Sequence, residues 1–111
     1  MIPADLLDQL RKKDPELWER MRRMPVYVHQ DGQLTIDLTK SDNTELVAAW
    51  LQHCLQEAIR ARDGWGCQIT SFGLPVIANV YNRREYTTGR GSTESEALLR
   101  AYLSALSGER I

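Results

Sequence analysis

The sequence predicts an α+β fold in which a small antiparallel sheet of four to five strands is covered by two amphipathic helices and preceded by an N-terminal pair of helices. Apolar residues recur with the 3.6-residue period of a helix over residues 44–62 and again over 94–107. The segment between them has short alternating runs separated by turns that contain glycine or proline. We therefore expect one domain over residues 1–111, with a helical N-terminal arm over 1–24 and an α+β core over 25–111.

The N-terminal arm is predicted to form two helices. The first begins after Pro3 and ends near Lys13, because the residue before a proline is biased away from helical geometry. The second has Asp14 as its N-cap and Pro15 at its first position, and it continues to about Met24. These helices are expected to cap an edge of the sheet, to cover its second face or to mediate dimerisation.

A homodimer is the expected oligomer of this chain. Trp18, Met21 and Met24 give the N-terminal arm more apolar surface than a small pair of helices needs for its own packing. A second copy of the chain would remove this surface from water.

Five segments are predicted to be strands, and they are residues 26–29, 34–38, 65–72, 76–82 and 86–88. The first two flank Asp31-Gly32, which favours a type I′ turn because both central residues of that turn need positive φ. On the second strand, Leu34, Ile36 and Leu38 share one face and should point inward.

Both long helices carry clear boundary signals. The helix over 44–62 is expected to stop at Asp63-Gly64, where glycine permits a left-handed residue. Thr93 and Glu96 have the spacing of a capping box, which predicts the start of the last helix.

The segment Gly89-Arg90-Gly91 is predicted to be a loop between the last strand and the last helix. We favour a flexible connection that ends in a good helix cap. The alternative is an anion site over Gly89–Thr93, in which backbone donors at the positive end of the helix act together with Arg90.

Composition limits the classes of function. The formal net charge is −1, which counts against a protein whose main role is to grip phosphate backbones. No apolar run approaches the roughly 18 residues of a membrane span, and the first residues do not resemble a signal peptide. Two cysteines, Cys54 and Cys67, are expected to be reduced and buried in a cytoplasmic protein.

No metal site, cofactor or catalytic centre is predicted. His53 and Cys54 are neighbours on a helix, so their side chains diverge by about 100° and do not easily share a metal. Together with His29 and Cys67 they show no metal-ligand spacing. The sequence has no nucleophile elbow, and no pair of carboxylates stands in apolar surroundings. We do not expect an enzyme.

The candidate partner-binding residues lie near one end of the later predicted hairpin, and they are Tyr81, Arg83, Arg84, Tyr86 and Arg90. Tyrosine and arginine are enriched in the hot spots of protein–protein interfaces. The same residue types on a sheet can stack on bases and contact phosphates, so a nucleic-acid-binding module remains the alternative. Glu85, Glu94 and Glu96 lie close by and weaken the electrostatic case for nucleic acid.

The end of the chain, GRGSTESEALLRAYLSAL, resembles the closing G-x-G-x-S-K-K-x-A segment of double-stranded RNA-binding domains. The positions that match are Gly89, Gly91, Thr93, Ala97, Ala101 and Ala105. The two lysines that grip phosphate in that motif are replaced by Glu94 and Ser95. The resemblance covers under a fifth of the chain, and we interpret it as shared packing of a strand on a helix without shared RNA binding.

A wider pattern over residues 42–108 is similar to small phage proteins of the ABA-sandwich type. It consists of the helix over 44–62, the segment WGCQITSFGLPVIANVYNRREYTTGRG and a closing helix that begins STESEALLRAYLSAL. The resemblance implies a helix before a compact antiparallel sheet, and a small phage or prophage protein that acts by binding. Its expected partner is a protein or protein complex in the cytoplasm of the bacterial host, for example one of a defence system such as CRISPR. The resemblance implies that this protein acts on that partner as an inhibitor or an adaptor.

Overall fold

A computed structural model of the chain describes residues 3–23, 25–26, 32–33, 45–83 and 85–108. The helices in these residues are α1 (Ala4–Lys13), α2 (Pro15–Arg22), α3 (Glu45–Ala61) and α4 (Glu94–Gly108). The strands are β1 (Pro25–Val26), β2 (Gly32–Gln33), β3 (Gly66–Thr70), β4 (Val76–Tyr81) and β5 (Tyr86–Gly91). The α+β class is confirmed.

The two N-terminal helices form where the capping signals place them. Asp14 lies between α1 and α2, and its Oδ1 accepts the backbone N–H of Leu17 at 3.2 Å. Pro15 occupies the first turn of α2, where a helix has no use for the missing N–H. The predicted break between the helices is therefore confirmed, and α2 ends at Arg22, two residues before the predicted Met24.

The described residues show three strands in one sheet, fewer than the expected four to five. β3, β4 and β5 form an antiparallel sheet in that order, whereas β1 and β2 pair only with each other. Within that pair Val26 lies opposite Gly32 and Pro25 opposite Gln33, so Gly32 is a strand residue and not part of a two-residue turn. Asp31 and the inward-facing set Leu34, Ile36 and Leu38 lie outside the described residues. A local turn signal indicates that a hairpin forms, but it cannot specify its register or whether it joins another sheet.

The three-stranded sheet buries one face against α3 and α4, as the sequence predicts. Val76, Ala78 and Val80 alternate along β4 and point to these helices. Gly64 ends the turn after α3 with φ 80°, which confirms the predicted left-handed stop.

The predicted loop Gly89-Arg90-Gly91 is wrong, because these residues continue β5 and pair with β4. The close approach of β5 to α4 explains why glycine stands there. A Cβ on Gly89 would collide with the backbone carbonyl of Ala97 and the backbone amide of Ala101. From the sequence, glycine at this position predicted a loop. In the structure its missing side chain lets a strand lie directly on a helix.

One apolar core joins all the layers. Its members include Leu6, Leu7, Leu10, Leu17, Trp18 and Met21 of the N-terminal helices, Leu51, Cys54, Leu55 and Ile59 of α3, and Leu98, Leu99 and Tyr102 of α4. α1 packs against α4 and α2 against α3, so the arm covers the helices. The arm was expected to cap an edge of the sheet, to cover its second face or to mediate dimerisation. The observed packing matches neither of the first two arrangements.

The surface that suggested a homodimer is largely internal. Met21 is fully buried and Trp18 nearly so within a single chain, while Met24 lies outside the described residues. These two side chains therefore offer no apolar surface to a second copy, and the homodimer stays a prediction without this support.

Candidate partner-binding surface

The face of the sheet that points away from α3 and α4 carries the candidate surface, which we call the open sheet face. Strand register groups its residues into three cross-strand rows, namely Gly66–Tyr81–Tyr86, Gln68–Asn79–Thr88 and Thr70–Ile77–Arg90. These residues alternate with those that face the helices. The described helices pack on the opposite side.

Side-chain contacts hold the open sheet face in order. The Tyr81 hydroxyl donates to Gln68 Oε1 at 2.7 Å, and the Thr88 hydroxyl donates to Asn79 Oδ1 at 2.7 Å. The rings of Tyr81 and Tyr86 are neighbours, with centroids 5.9 Å apart. Cross-strand pairs of this kind stabilise a sheet and fix rotamers before any partner arrives.

The turn between β3 and β4, residues 71–75, forms an apolar hairpin tip. Phe72 is 100% exposed and Leu74 is 78% exposed. Gly73 between them has φ 131°, a conformation that favours glycine. The last row of the open sheet face, which contains Ile77, lies next to this tip. The apolar tip therefore adjoins one end of the open sheet face, and the tyrosines lie at the other end.

The hairpin tip is anchored to the helices at its base. Ser71 donates to Glu94 Oε1 at 2.8 Å, and Gln52 of α3 donates to Glu94 Oε2 at 3.2 Å. Glu94 stands where the resembling RNA-binding motif has a lysine. It carries the opposite charge and ties the start of α4 to β3 and α3.

Sequence reasoning missed the hairpin tip. It placed Phe72 inside a strand, but β3 ends at Thr70. The available signal was the run Phe72-Gly73-Leu74-Pro75, in which two large apolar residues flank a glycine in a turn. Turn residues lie at the surface, so apolar side chains there are exposed unless another element covers them.

The five predicted site residues separate into distinct roles. Tyr81, Tyr86 and Arg90 share the open sheet face, but Arg90 lies opposite Ile77, at the end of the face away from the two tyrosines. The prediction that these residues lie together near one end of the hairpin is therefore wrong for Arg90, because β5 continues through Gly91 instead of ending before a loop. Arg83 instead pairs with the Asp63 carboxylate, and its Nε donates to the Asp63 carbonyl at 3.4 Å. Arg84 lies outside the described residues.

Arg83 holds two turns together. Its aliphatic stem lies against Gly64, where a Cβ would meet Arg83 Cγ at 2.7 Å. The side chain thus joins the β4–β5 turn to the α3–β3 turn and extends away from the open sheet face.

The alternative anion site over Gly89–Thr93 is occupied by a side chain of the protein itself. Glu96 is only 8% exposed, and its Oε2 accepts the backbone N–H of Ser92 at 3.1 Å. The Thr93 hydroxyl accepts the backbone N–H of Glu96 at 3.2 Å, as the capping box predicts. An internal carboxylate already lies where an external anion would bind, so the anion hypothesis for this segment is wrong.

Three ionisable side chains have environments that favour their neutral forms. Cys54 and Tyr102 are buried, whereas Cys67, which was expected to be buried, is only half-buried. Burial raises the pKa of the Cys54 and Cys67 thiols, which are free. Burial, followed by the hydrogen bond to Asp14 and its charge, raises the pKa of Tyr102, and the Arg62 guanidinium offsets this only in part. Deprotonated nucleophiles are therefore disfavoured at these three positions.

An exposed polar network lies between α2 and α3. His53 Nε2 is 2.6 Å from Glu57 Oε1, and Arg20 pairs with the same carboxylate. The Trp50 ring lies 5.7 Å from the His53 ring, and its indole N–H donates to the Met21 carbonyl at 2.9 Å. These contacts join the two helices.

Two general features of the described residues bear on function. They contain no group of three or more histidine, cysteine, aspartate or glutamate side chains placed to hold a metal ion. No helix among them is long and apolar enough to cross a membrane.

The chain matches no protein-family model, no curated protein and no solved structure at a significant level.

Proposed function

We propose that this protein is a non-catalytic binding protein that docks the hairpin tip and the open sheet face onto a protein partner. The observation that carries the proposal is the pair of large apolar side chains at the tip, Phe72 and Leu74, of which Phe72 is fully exposed. Single exposed apolar residues are ordinary, but two on one turn, next to the row that contains Ile77, form a patch of the kind that partners cover.

The rest of the surface has the composition of an interface. Tyr81, Tyr86 and Arg90 are of the residue types enriched in hot spots, and Ile77 continues the apolar end. The hydrogen bonds within the face limit the side-chain entropy that binding would cost.

The partner that we propose is a protein or protein complex of a bacterial host. This part of the proposal is supported by the resemblance of residues 42–108 to small phage proteins that act by binding. The protein would act on this partner as an inhibitor or an adaptor.

Photocrosslinking tests this proposal directly. The photoreactive residue p-benzoylphenylalanine replaces Phe72, a position where the added ring meets only solvent. After irradiation in a nuclease-treated bacterial lysate, we expect a discrete crosslinked protein. Excess unmodified wild-type chain should compete for it, whereas the double variant Phe72→Ser, Leu74→Ser should not.

The matched control carries the same photoreactive residue in place of Ala49, an exposed position on α3. Equal labelling from both positions, or no competed product from position 72, would contradict docking through the hairpin tip.

A nucleic-acid-binding module is the second candidate, and the neighbouring rings of Tyr81 and Tyr86 on a sheet favour it. Two observations weigh against it. Arg83 pairs with Asp63, and Arg90 is the single cation in the three rows of the open sheet face. Phosphate binding draws on several cations, whereas Phe72 and Leu74 offer apolar surface.

Fluorescence anisotropy with labelled single-stranded DNA and RNA separates the two candidates. A nucleic-acid module predicts binding that falls steeply with salt and is lost in Tyr86→Ala. The protein-binding proposal predicts flat titrations at low salt, together with loss of the position-72 crosslink in Tyr86→Ala.

A further inference from the structure

A groove of about 740 Å³ lies between α1, α4 and the edge strand β5, apart from the hairpin tip. Thr88, Gly89 and Arg90 of β5 all line it. Successive strand residues point to opposite faces of a sheet, so three consecutive residues can line one groove only where it meets the edge of the strand.

The edge of β5 is unpaired in the described part of the chain. β5 pairs with β4 along one side, and no other described backbone group hydrogen-bonds to the strand. Every second residue of an antiparallel strand directs its N–H and C=O away from its partner, so the six residues of β5 offer about three such residues to the groove. α1 packs on α2 and α4, and the groove lies between α1 and this edge.

The groove is basic although the whole chain has a formal net charge of −1. Lys13, Arg90 and Arg100 line it, against the single carboxylate of Asp5. Among the described residues, Lys13 donates to the Ser107 hydroxyl, and no carboxylate is within ion-pair distance of Arg90. Arg100 has Glu96 as a distant partner, at 3.7 Å.

The cations are distributed along the groove. Arg100 leaves α4 beside Gly89, because a Cβ on Gly89 would lie 3.0 Å from Arg100 Cβ. Ser107, which accepts from Lys13, lies seven residues further along α4, about 10 Å away at 1.5 Å per residue. An extended chain with acidic side chains would meet positive charge at both ends of the groove.

We infer that this groove binds an extended acidic peptide segment of a partner protein, which adds to β5 as a fourth strand of the sheet. Main-chain hydrogen bonds to the β5 edge supply affinity, and the cations select acidic side chains. The groove extends from the β5 edge to α1 and α4, whereas the surface proposed above lies on the open sheet face, so either can fail without the other, although Thr88 and Arg90 border both.

The probe is a six-residue peptide of alternating valine and glutamate, with blocked ends, titrated into the full ¹⁵N-labelled chain. We expect amide shifts at Thr87–Gly91 and slower hydrogen exchange at the β5 edge. The glutamates of an alternating peptide lie on one face of the added strand, and Lys13 and Arg100 both approach the groove from the helix side. Lys13→Gln and Arg100→Gln should each weaken binding by about threefold to tenfold.

Matched controls isolate each part of the inference. Lys12→Gln alters the neighbouring lysine, which pairs with Asp8 at 3.0 Å outside the groove, and it should bind like wild type. Tyr86→Ala, which disrupts the open sheet face, should also retain the peptide.

Two altered peptides give the decisive outcomes. A peptide with every backbone nitrogen methylated keeps the charges but has no N–H donors, so equal binding by it would overturn strand addition. Equal binding by a peptide with lysine in place of glutamate would overturn selection by charge. No amide shift with the original peptide at millimolar concentration would overturn the whole inference.

Discussion

Tyr102 connects three parts of the molecule through one buried side chain. Its hydroxyl donates to Asp14 Oδ2 at 2.5 Å, while Asp14 Oδ1 caps α2. Its ring meets Trp65 edge-on with centroids 6.5 Å apart, and the Arg62 guanidinium lies 4.9 Å from the Trp65 ring centroid. A tyrosine on α4 thus orients the junction between α1 and α2 and packs against the residue that precedes β3.

Tyr102→Phe tests the importance of this contact. The variant keeps the ring but leaves Asp14 Oδ2 without its donor, so we expect the free energy of unfolding to fall by about 1–2 kcal/mol near neutral pH. Urea denaturation measures the difference. The matched control is Tyr86→Phe. The Tyr86 ring is exposed, so loss of its hydroxyl should change the free energy of unfolding by less than about 0.5 kcal/mol. Equal stability of the two variants would contradict a structural role for the hydroxyl.

The difference in the free energy of unfolding between wild type and Tyr102→Phe should also depend on pH, and the raised pKa of Tyr102 determines the direction. The pKa of Tyr102 is raised in the folded state above the value of about 10 in an unfolded chain. The contribution of the neutral phenol is therefore complete below about pH 10 and is lost as pH rises toward the folded-state pKa. The advantage of wild type over Tyr102→Phe should narrow above about pH 10, by up to about 1.4 kcal/mol per pH unit. A gap that stays constant to about pH 11 would argue against a raised pKa.

At the scale of elements, the contact between β5 and α4 depends on a missing side chain. Gly89 lies where a Cβ would overlap the backbone of α4, and backbone atoms of a helix cannot move aside as a side-chain end can. The Thr87 hydroxyl donates to the Ala101 carbonyl at 2.8 Å and strengthens the same contact. The strand and the helix are thus held closer than most residue types at position 89 would permit.

Gly89→Ala should therefore destabilise the protein by about 3 kcal/mol, the upper range for overpacking a well-packed site. Gly66→Ala is the matched control, because a Cβ on Gly66 would meet no atom within 4 Å. We expect that control to lie within about 0.5 kcal/mol of wild type. Thermal unfolding followed by circular dichroism measures both variants, and similar melting temperatures would show that α4 can shift.

At the scale of the whole molecule, the N-terminal arm is part of the core. Leu7, Leu10 and Met21 are fully buried, and they belong to the same cluster as the side chains of α3, β4 and α4. Without the arm, the outer side of α3 and α4 would expose apolar surface to water. The division into an arm and a core describes the order of the chain more than its packing.

A chain that lacks residues 1–23 should not fold cooperatively. We expect retained helical signal in the far ultraviolet, a broad thermal transition and binding of a hydrophobic dye, as for other compact states without fixed packing. Addition of a peptide of residues 1–23 should restore a sharp transition. A sharp transition in the truncated chain alone would show that the α+β core is independent of its arm.

Several features of this protein were determined by short stretches of sequence. Asp14-Pro15 placed the break between α1 and α2, Gly64 ended the turn after α3, and the spacing of Thr93 and Glu96 placed the start of α4. Each feature depends on hydrogen bonds or dihedral angles within about one helical turn, so the residues that specify it are adjacent in sequence.

Other features were decided only by contacts between distant segments. Gly89–Gly91 became strand because α4 lies against them, and Arg83 turned to Asp63, twenty residues away. The exposure of Phe72 and the basic groove beside β5 likewise follow from where whole elements pack. The sequence by itself thus determined which helices form and where their boundary signals lie. Tertiary structure decided which edges and side chains face outward, because exposure depends on every element packed nearby and not on the pattern of any one segment.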